Sequence, residues 1–332
     1  NTTTTSIIMH ALSKSGIDYD YLVGAQLEGF DRMVKLSDNK LIVLEGDEYL
    51  SSPIDRRPKM MHYDPDVAII TGVAWDHINV FPTIENYVDQ FKEFISAMRD
   101  DAILFYYKND QRLQSIINLE QHKCKAISYD QIELDQQGNY RIDGRKFPIH
   151  LIGNHNLQNI LAAQLVCNNL GLSDSVFYNT LHDFTGADRR LQVIKEGEQG
   201  QRYVYLDFAH APSKVKATTD AVKDWYRNAD LTAVLELHTF SSLNKDFLPQ
   251  YDATLDSADR AVVYFSEHAI KMKKMASLSP DYVRSCFNHP NLTIITDRTK
   301  LQLLLESLET SGSNILLMTS GNFSNLDLTD IF

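Results

Sequence analysis

Two apolar runs, each stopped by acids or an imidazole, constrain this chain most: Leu41-Ile-Val-Leu-Glu-Gly-Asp-Glu48-Tyr49 and Ile69-Ile-Thr-Gly-Val-Ala-Trp-Asp-His77. A short unbroken apolar run reads as a strand buried on both faces, which occurs in parallel sheets covered by helices. Such sheets collect their chemistry at the carboxyl edge, where the residues just past each strand face a common crevice. Glu45, Asp47 and Glu48 would present hard oxygen ligands of the kind Mg²⁺ prefers, and Asp76-His77 could complete a second metal position or hold a water. The same side chains would also serve as ordinary polar caps of two strands, and spacing alone leaves both open.

The rest of the chain alternates in the same way. Residues 7–15 read as a helix ending near Gly16, and 40–44 and 67–71 as buried strands. Residues 83–99 read as a helix, with Ile84, Tyr87, Val88, Phe91, Phe94, Ile95 and Met98 recurring at helical spacing. A strand at 101–107 and a helix at 110–119 follow. Residues 126–149 alternate with period two around Gly138 and Gly144, which predicts a small antiparallel excursion. Helices are expected through Leu170 and over 173–184. A second alternation begins at Tyr203, with apolar runs at 231–237, 261–265, 292–295 and 314–318, the first three each followed by a helix-length segment. Pro212 suits the first turn of a helix over 213–226.

At 332 residues with 43% apolar side chains, the chain has material for two cores. Its net charge of -12 argues against a nucleic-acid surface, which needs a basic stripe. Cys124, Cys167 and Cys286 fall at no metal or disulfide spacing and are expected to be reduced thiols of a cytoplasmic protein. No run reaches membrane-spanning length, and a signal peptide is not expected.

The Glu45-Gly-Asp-Glu48 and Asp76-His77-Ile-Asn-Val-Phe81 motifs, in this order, resemble the Mur ligase family of cell-wall enzymes. That resemblance implies that Glu45 and His77 serve Mg²⁺ ions bridging ATP. Tyr49 and the segment from Arg56 to Tyr63 resemble the murein peptide ligase branch, which attaches a whole tripeptide to the muramyl nucleotide. In the family a phosphate loop, Gly-x-x-Gly-Lys-Thr-Thr-Thr, runs into the first helix, its backbone N–H groups cradling phosphate. Here Asn1 stands where the lysine would be, and Thr2 and Thr3 match the threonines, Thr2 the one whose hydroxyl reaches Mg²⁺. The chain is therefore expected to be a fragment without most of that loop and without the nucleotide-holding N-terminal domain. Absent the resemblance, Thr2 to Thr5 would read as helix-capping residues. In some relatives a carbamylated lysine lies at the spacing of Lys92; a solvated lysine is the simpler reading here.

Further along, Gly153-Asn-His-Asn156-Leu-Gln-Asn159 is similar to a family signature in which Asn156 and Asn159 look toward the nucleotide. An amide suits a base edge because it both donates and accepts. In Thr185-Gly186-Ala-Asp-Arg189-Arg190 the resemblance gives Arg190 to the ATP phosphates and leaves Arg189 structural. Asp207-Phe-Ala-His210-Ala-Pro212 resembles Asp-Tyr-Ala-His-His-Pro, which implies that Asp207 and His210 lie by ribose and phosphates. His238 matches a histidine of the alanine-adding ligases, and Lys245 the region where relatives hold a cation near the acyl-phosphate. Met318-Thr-Ser320-Gly321-Asn322-Phe323 is similar to the tripeptide ligases' ending, so His238, Ser320 and Asn322 are expected at the amino acceptor.

The implied architecture is α/β: a mostly parallel-sheet ATP-binding central domain of P-loop type with a small antiparallel patch, residues 1–187, then a Rossmann-like doubly wound domain, 188–332. The implied reaction joins L-Ala-γ-D-Glu-meso-diaminopimelate to UDP-N-acetylmuramate through an acyl-phosphate, with ATP and Mg²⁺ and without nucleic acid or membrane. Phosphoryl transfer asks a protein for positioning and charge neutralisation, hence no nucleophilic triad is needed. The alanine-adding muramate ligase is the alternative, supported by His238 and opposed by the Ser320–Phe323 ending. A non-catalytic nucleotide-binding module is a third. Folylpolyglutamate synthetases share the architecture, and a dehydrogenase is disfavoured because no Gly-x-Gly-x-x-Gly follows a strand.

Overall fold

The computed structural model describes residues 2–24, 32–119, 122–184, 186, 189–197 and 202–332. Asn1, residues 25–31, and Thr185, Ala187 and Asp188, on which some of these expectations fall, lie outside the described residues. The chain divides into two compact units, Asn1–Asp188 and Arg189–Phe332.

The first unit opens with helix α1 (Thr2–Lys14), which starts earlier than its apolar pattern indicates because the buried Thr2 to Ser6 carry no hydrophobic periodicity. Its end is set by Gly16 at φ 70°: Gly16 N–H donates to the Ser13 carbonyl (3.1 Å) and Ile17 N–H to that of Leu12 (3.0 Å), closing a Schellman motif. Strands β1 (Asp20–Leu22), β2 (Val34–Lys35) and β3 (Ile42–Leu44) form a mixed sheet in the order β2-β1-β3. β3 runs parallel to β1, as expected, but it is not buried on both faces. It borders the sheet, pairs on one side only, and leaves Ile42 45% exposed.

A second, all-parallel sheet takes β4 (Val67–Ile70), β5 (Ile103–Tyr107) and β6 (Lys125–Tyr129) in chain order, crossed by helices α2 (Ile84–Ala97) and α3 (Gln111–Leu119). The Thr83 hydroxyl caps α2 by accepting from Asn86 N–H, and Tyr87, Phe91 and Ile95 form its buried stripe. β7 (Asn139–Ile142) and β8 (Arg145–Pro148) make a hairpin turning on Asp143 and Gly144, both at positive φ. The antiparallel patch is thus shorter than 126–149, because residues 126–129 belong to parallel β6. Period-two alternation marks a strand without revealing the direction of its partner. Helices α4 (Asn154–Asn169) and α5 (Asp174–Thr180) complete the unit, with α1 packed against both over a core that includes Ile7, Met9, Leu12, Ile160 and Phe177.

The second unit is one sheet of β9 (Gln192–Glu196), β10 (Tyr203–Asp207), β11 (Leu231–Leu237), β12 (Arg260–Phe265), β13 (Leu292–Ile295) and β14 (Asn314–Met318), ordered β13-β12-β11-β14-β10-β9. Every pairing is parallel except that of β9, the antiparallel border. Helices α6 (Pro212–Trp225), α7 (Glu267–Met272), α8 (Pro280–Phe287), α9 (Arg298–Glu309) and α10 (Leu328–Ile331) accompany it. Between β11 and β12 the expected helix is replaced, among the described residues, by a short 3₁₀ turn, Leu248–Tyr251. Pro249 removes a backbone donor there, and Phe247, Leu248 and Tyr251 are driven into the core instead. The last strand, β14, inserts between β10 and β11, so three carboxyl ends meet at one edge.

Leu317, fully buried in β14 among Val204, Val234 and Leu305, reports on that insertion. Leu317→Ala is expected to lower the unfolding free energy by about 2–5 kcal/mol through lost transfer energy and the cavity left behind. Urea denaturation checks it, and a loss well under ~1 kcal/mol would contradict a packed sheet at this position.

Candidate functional site

In the first unit the predicted residues gather around the start of α1. The Thr2 hydroxyl donates to Glu45 Oε1 (2.6 Å), and Gly24 N–H donates to Glu45 Oε2 (2.9 Å). Glu45 follows β3 directly, so the strand end and the helix start share one carboxylate. One turn into the helix, the Thr4 hydroxyl donates to Asn159 Oδ1 (3.0 Å) on α4. Asn159 Nδ2 in turn donates to Asn156 Oδ1 (3.4 Å), whose own Nδ2 reaches the Ile152 carbonyl (2.8 Å). Thr2, Glu45, Asn156 and Asn159 are therefore brought into one neighbourhood. Thr3 is buried beside them in α1.

The other acids past β3 are engaged elsewhere. Asp47 Oδ2 pairs with Lys59 Nζ (2.7 Å), and that hydrogen bond raises the pKa of Lys59. Met60 N–H also closes on the Asp47 carbonyl (3.0 Å), so the Arg56–Tyr63 segment folds back on the acidic stretch. Glu48 Oε1 accepts from Tyr87 OH (2.8 Å) and lies 3.7 Å from His77 Nε2. Burial, then the Glu48 charge, pushes the Tyr87 phenol well above its usual range, so it stays a donor. His77 itself is at φ 57°, its ring 5.1 Å from that of Tyr49, and its N–H donates to Asp76 Oδ1 (2.7 Å). Among the described residues no three His, Cys, Asp or Glu side chains stand close enough to hold a metal ion. What remains is one carboxylate with one hydroxyl, Glu45 and Thr2, which suits Mg²⁺ completing its shell with water and substrate phosphate. Lys92 pairs with Asp89 at 3.0 Å, three residues back on α2.

In the second unit the residues predicted from separate motifs converge on the ends of β10, β11 and β14. Asp207 Oδ2 accepts from Leu191 N–H (2.7 Å) and Oδ1 from Ala209 N–H (2.7 Å), so its carboxylate shapes the backbone at the turn. His210, 9% exposed, donates from Nδ1 to the Phe208 carbonyl (2.9 Å). Arg190 lies over the Phe208 ring at 4.5 Å. Arg189, expected to be structural, donates to the carbonyls of Thr319 (3.0 Å) and Gly321 (2.8 Å). Its φ of 52° and that of Leu191, 50°, mark a sharply bent entry into β9. Asn322 is spent locally, exchanging hydrogen bonds with Asn325. The Ser320 hydroxyl is buried with no hydrogen-bond partner. Lys245 stands apart, exposed, its ammonium 5.1 Å over the Tyr282 ring.

Three contributors escaped the sequence reading. Asp110 accepts from Val73 N–H (2.7 Å) and Leu113 N–H (2.9 Å), fixing the approach to Asp76-His77, and Tyr87 steadies Glu48. Glu236, 2% exposed, accepts from Thr319 Oγ1 and from Phe323 N–H (2.8 Å). A lone acid inside the otherwise apolar run Leu231–Leu237 was the available signal, because a buried charge requires partners.

Comparison with known proteins gives a consistent picture. The Mur ligase middle domain matches residues 1–167. The UDP-N-acetylmuramate–L-alanine ligase of Caldicellulosiruptor bescii is 29% identical over 79% of this chain, which spans 58% of that protein's length. Among solved structures, the murein peptide ligase of Psychrobacter arcticus superposes with a TM-score of 0.64 at 19% identity, over 99% of this chain and 73% of that one. A MurF ligase from Thermotoga maritima in complex with ADP gives 0.69 at 18%, over 99% and 75%. The α/β fold with parallel sheets is shared with these structures.

Thr4→Val keeps shape and removes the donor to Asn159. It is expected to cost about 0.5–1.5 kcal/mol of stability, the net worth of one hydrogen bond, measured by thermal or urea unfolding. No change would mean that the asparagine pair is held by α4 alone.

Proposed function

This chain belongs to the Mur ligase family, and from that premise we propose that it is the ATP-binding and acceptor-binding part of an ATP- and Mg²⁺-dependent amide ligase acting on UDP-N-acetylmuramate in peptidoglycan synthesis. The observation that carries this reading is the Thr2–Glu45 hydrogen bond at the start of α1. The first N–H groups of a helix lack intrahelical partners and favour an anion, so phosphate oxygens belong there, beside a carboxylate and a hydroxyl that would hold Mg²⁺. The metal would neutralise charge on the transferring phosphoryl group.

In this reading the muramyl carboxylate takes the γ-phosphoryl group of ATP, releasing ADP. The acceptor amine then attacks the acyl carbon and expels phosphate. Asn156 and Asn159 are proposed to contact the adenine, Arg190 the phosphates, and Asp207 with His210 to shape the backbone past β10 beside the nucleotide. His77, set by Asp76 and Glu48, is proposed to orient a metal-bound water. Lys245, exposed on Tyr282, is proposed to steer the acidic intermediate by charge alone. Residues 1–187 and 188–332 are proposed as the central and C-terminal domains of a cytoplasmic protein.

For the acceptor we place L-alanine ahead of the tripeptide suggested by Ser320–Phe323. His238 at the end of β11 supports alanine, and so do curated relatives, such as that of C. bescii, carrying the alanine ligase name. The tripeptide stays second because Ser320 offers a buried, unpartnered hydroxyl beside β14.

Complete protein supplied with UDP-N-acetylmuramate and Mg-ATP is expected to release ADP and to form the L-alanyl product by mass, with chelation of Mg²⁺ abolishing both. A product with L-Ala-γ-D-Glu-diaminopimelate alone would reverse the acceptor assignment, and no ADP with either acceptor would refute the ligase reading. Glu45→Ala is expected to lower turnover by about 10²-fold or more, as loss of a preorganised charge contact does, with the protein still folded and its unfolding midpoint lowered only by the lost hydrogen bonds to Thr2 and Gly24. Turnover like wild type would remove Glu45 from the site.

A further inference from the structure

The second unit buries a carboxylate for which the ligase chemistry has no use. Glu236 is the sixth residue of β11, 2% exposed, in a strand whose other residues are all buried too. An ionised side chain so placed costs several kcal/mol unless its oxygens are filled. One of them is filled from the loop after β14: Oε2 accepts from the Thr319 hydroxyl and, at 2.8 Å, from Phe323 N–H, while Oε1 lies 3.9 Å from His238 Nδ1. Thr319 Oγ1 also accepts from Gly321 N–H at 2.8 Å, so one carboxylate oxygen organises three consecutive bends of the loop.

The loop closes tightly on this centre. A Cβ on Gly321 would lie 2.8 Å from Glu236 Oε2 and 2.8 Å from His238 Cγ, so only glycine fits against both. Phe323, Ser324 and Asn325 run through positive φ, at 48°, 56° and 61°. Three successive left-handed residues are costly and persist only when their surroundings hold them. Phe323 is fully buried, Ser324 Oγ bonds Tyr264 OH (2.6 Å), and Arg298 donates to the Ser324 carbonyl (3.0 Å). From the other side Arg189 holds the carbonyls of Thr319 and Gly321.

We propose that Glu236 is a positioning residue that locks the Thr319–Phe323 loop to the end of β11, so that His238 and Ser320 form a single rigid wall selecting the amino acceptor. This rests on the ligase reading of the chain. Glu236 touches no substrate; it sets the spacing between two residues that the sequence places far apart.

The experiment uses the complete protein with Glu236→Gln, Glu236→Ala and Thr319→Val. Loss of the hydrogen bonds from Thr319 and Phe323 to a charged group predicts that Glu236→Ala raises the KM of the amino acceptor about tenfold or more, leaving the KM of ATP and of UDP-N-acetylmuramate within about twofold. Glu236→Gln, which keeps an acceptor oxygen for Phe323 N–H, is expected to restore most of that loss. Thr319→Val, a milder change, is expected to fall between them and covers the case in which Glu236→Ala does not fold. A rise of all three KM values together, or a fall in kcat alone, overturns the proposal. Amide exchange gives a second reading independent of catalysis: Gly321 and Phe323 should exchange about tenfold faster in Glu236→Ala or Thr319→Val, with Val234 unchanged. If wild type shows no ligation with any acceptor but exchange responds as stated, the ligase reading fails while the loop lock stands. Unchanged exchange at Gly321 and Phe323 refutes the lock itself.

Discussion

A carboxylate near the end of a strand needs hydrogen-bond donors where it is withdrawn from water, and this molecule meets that demand repeatedly by bending backbone or a distant hydroxyl onto it. Glu45 takes Thr2 and Gly24, Asp110 takes Val73 and Leu113, Asp207 takes Leu191 and Ala209, and Glu236 takes Thr319 and Phe323. Each arrangement ties a strand end to a segment remote in the chain. The loops that carry the candidate site are therefore held by charge-assisted hydrogen bonds, which are stronger than neutral ones. The parallel sheets supply the buried strands, and the acids convert their ends into fixed geometry.

The strand order of the second unit gives this device its reach. β14 arrives last and inserts between β10 and β11, so Thr319 N–H bonds the Asp207 carbonyl (2.9 Å) on one side while its hydroxyl bonds Glu236 on the other. His238 and Ser320–Phe323, which point to different acceptors when taken as separate motifs, are parts of one packed arrangement around Gly321. An alanine-like histidine beside a tripeptide-like loop is then one surface rather than two conflicting ones. Its preference depends on how Glu236 spaces the two.

Strand and helix alternation was legible because burial on both faces imposes apolar runs and helices impose their own period: α2 with Tyr87, Phe91 and Ile95, β11, β13 and β14 all lie where the pattern places them. What misled was pattern without partner. Period two at 126–129 could not say that β6 pairs in parallel, and the apolar run 41–44 could not say that β3 borders its sheet. Of the residues named from the sequence, Thr2 meets Glu45, and Asn156 and Asn159 gather beside Thr4, on the same helix as Thr2. Their wiring was not legible, because it spans the chain: Thr2 to Glu45 is 43 residues, Thr4 to Asn159 is 155, and Glu236 to Phe323 is 87. Nor could the sequence show that Asp47 pairs with Lys59 or that Asn322 bonds Asn325.

The division of labour among the acids past β3 follows from these partners. Asp47 is neutralised by a lysine, whereas Glu48 is steadied by a phenol that burial keeps protonated. Glu45 differs from Asp47 in that both its partners, a hydroxyl and a backbone N–H, are neutral donors, and from Glu48 in that its hydroxyl partner, Thr2, lies at the start of α1. Neutral donors orient a carboxylate without cancelling its charge, which leaves its negative potential intact at the start of α1. That end of a helix attracts anions, and a carboxylate beside it would repel them unless a cation stood between. A divalent ion held by Glu45 would remove the conflict, and the Thr2 hydroxyl, which has lone pairs to offer, would be its second protein ligand. Asp47, paired with a lysine, and Glu48, bonded to Tyr87 of α2, lack that combination, which is why Glu45 is the one we propose for the metal among the three neighbouring candidates.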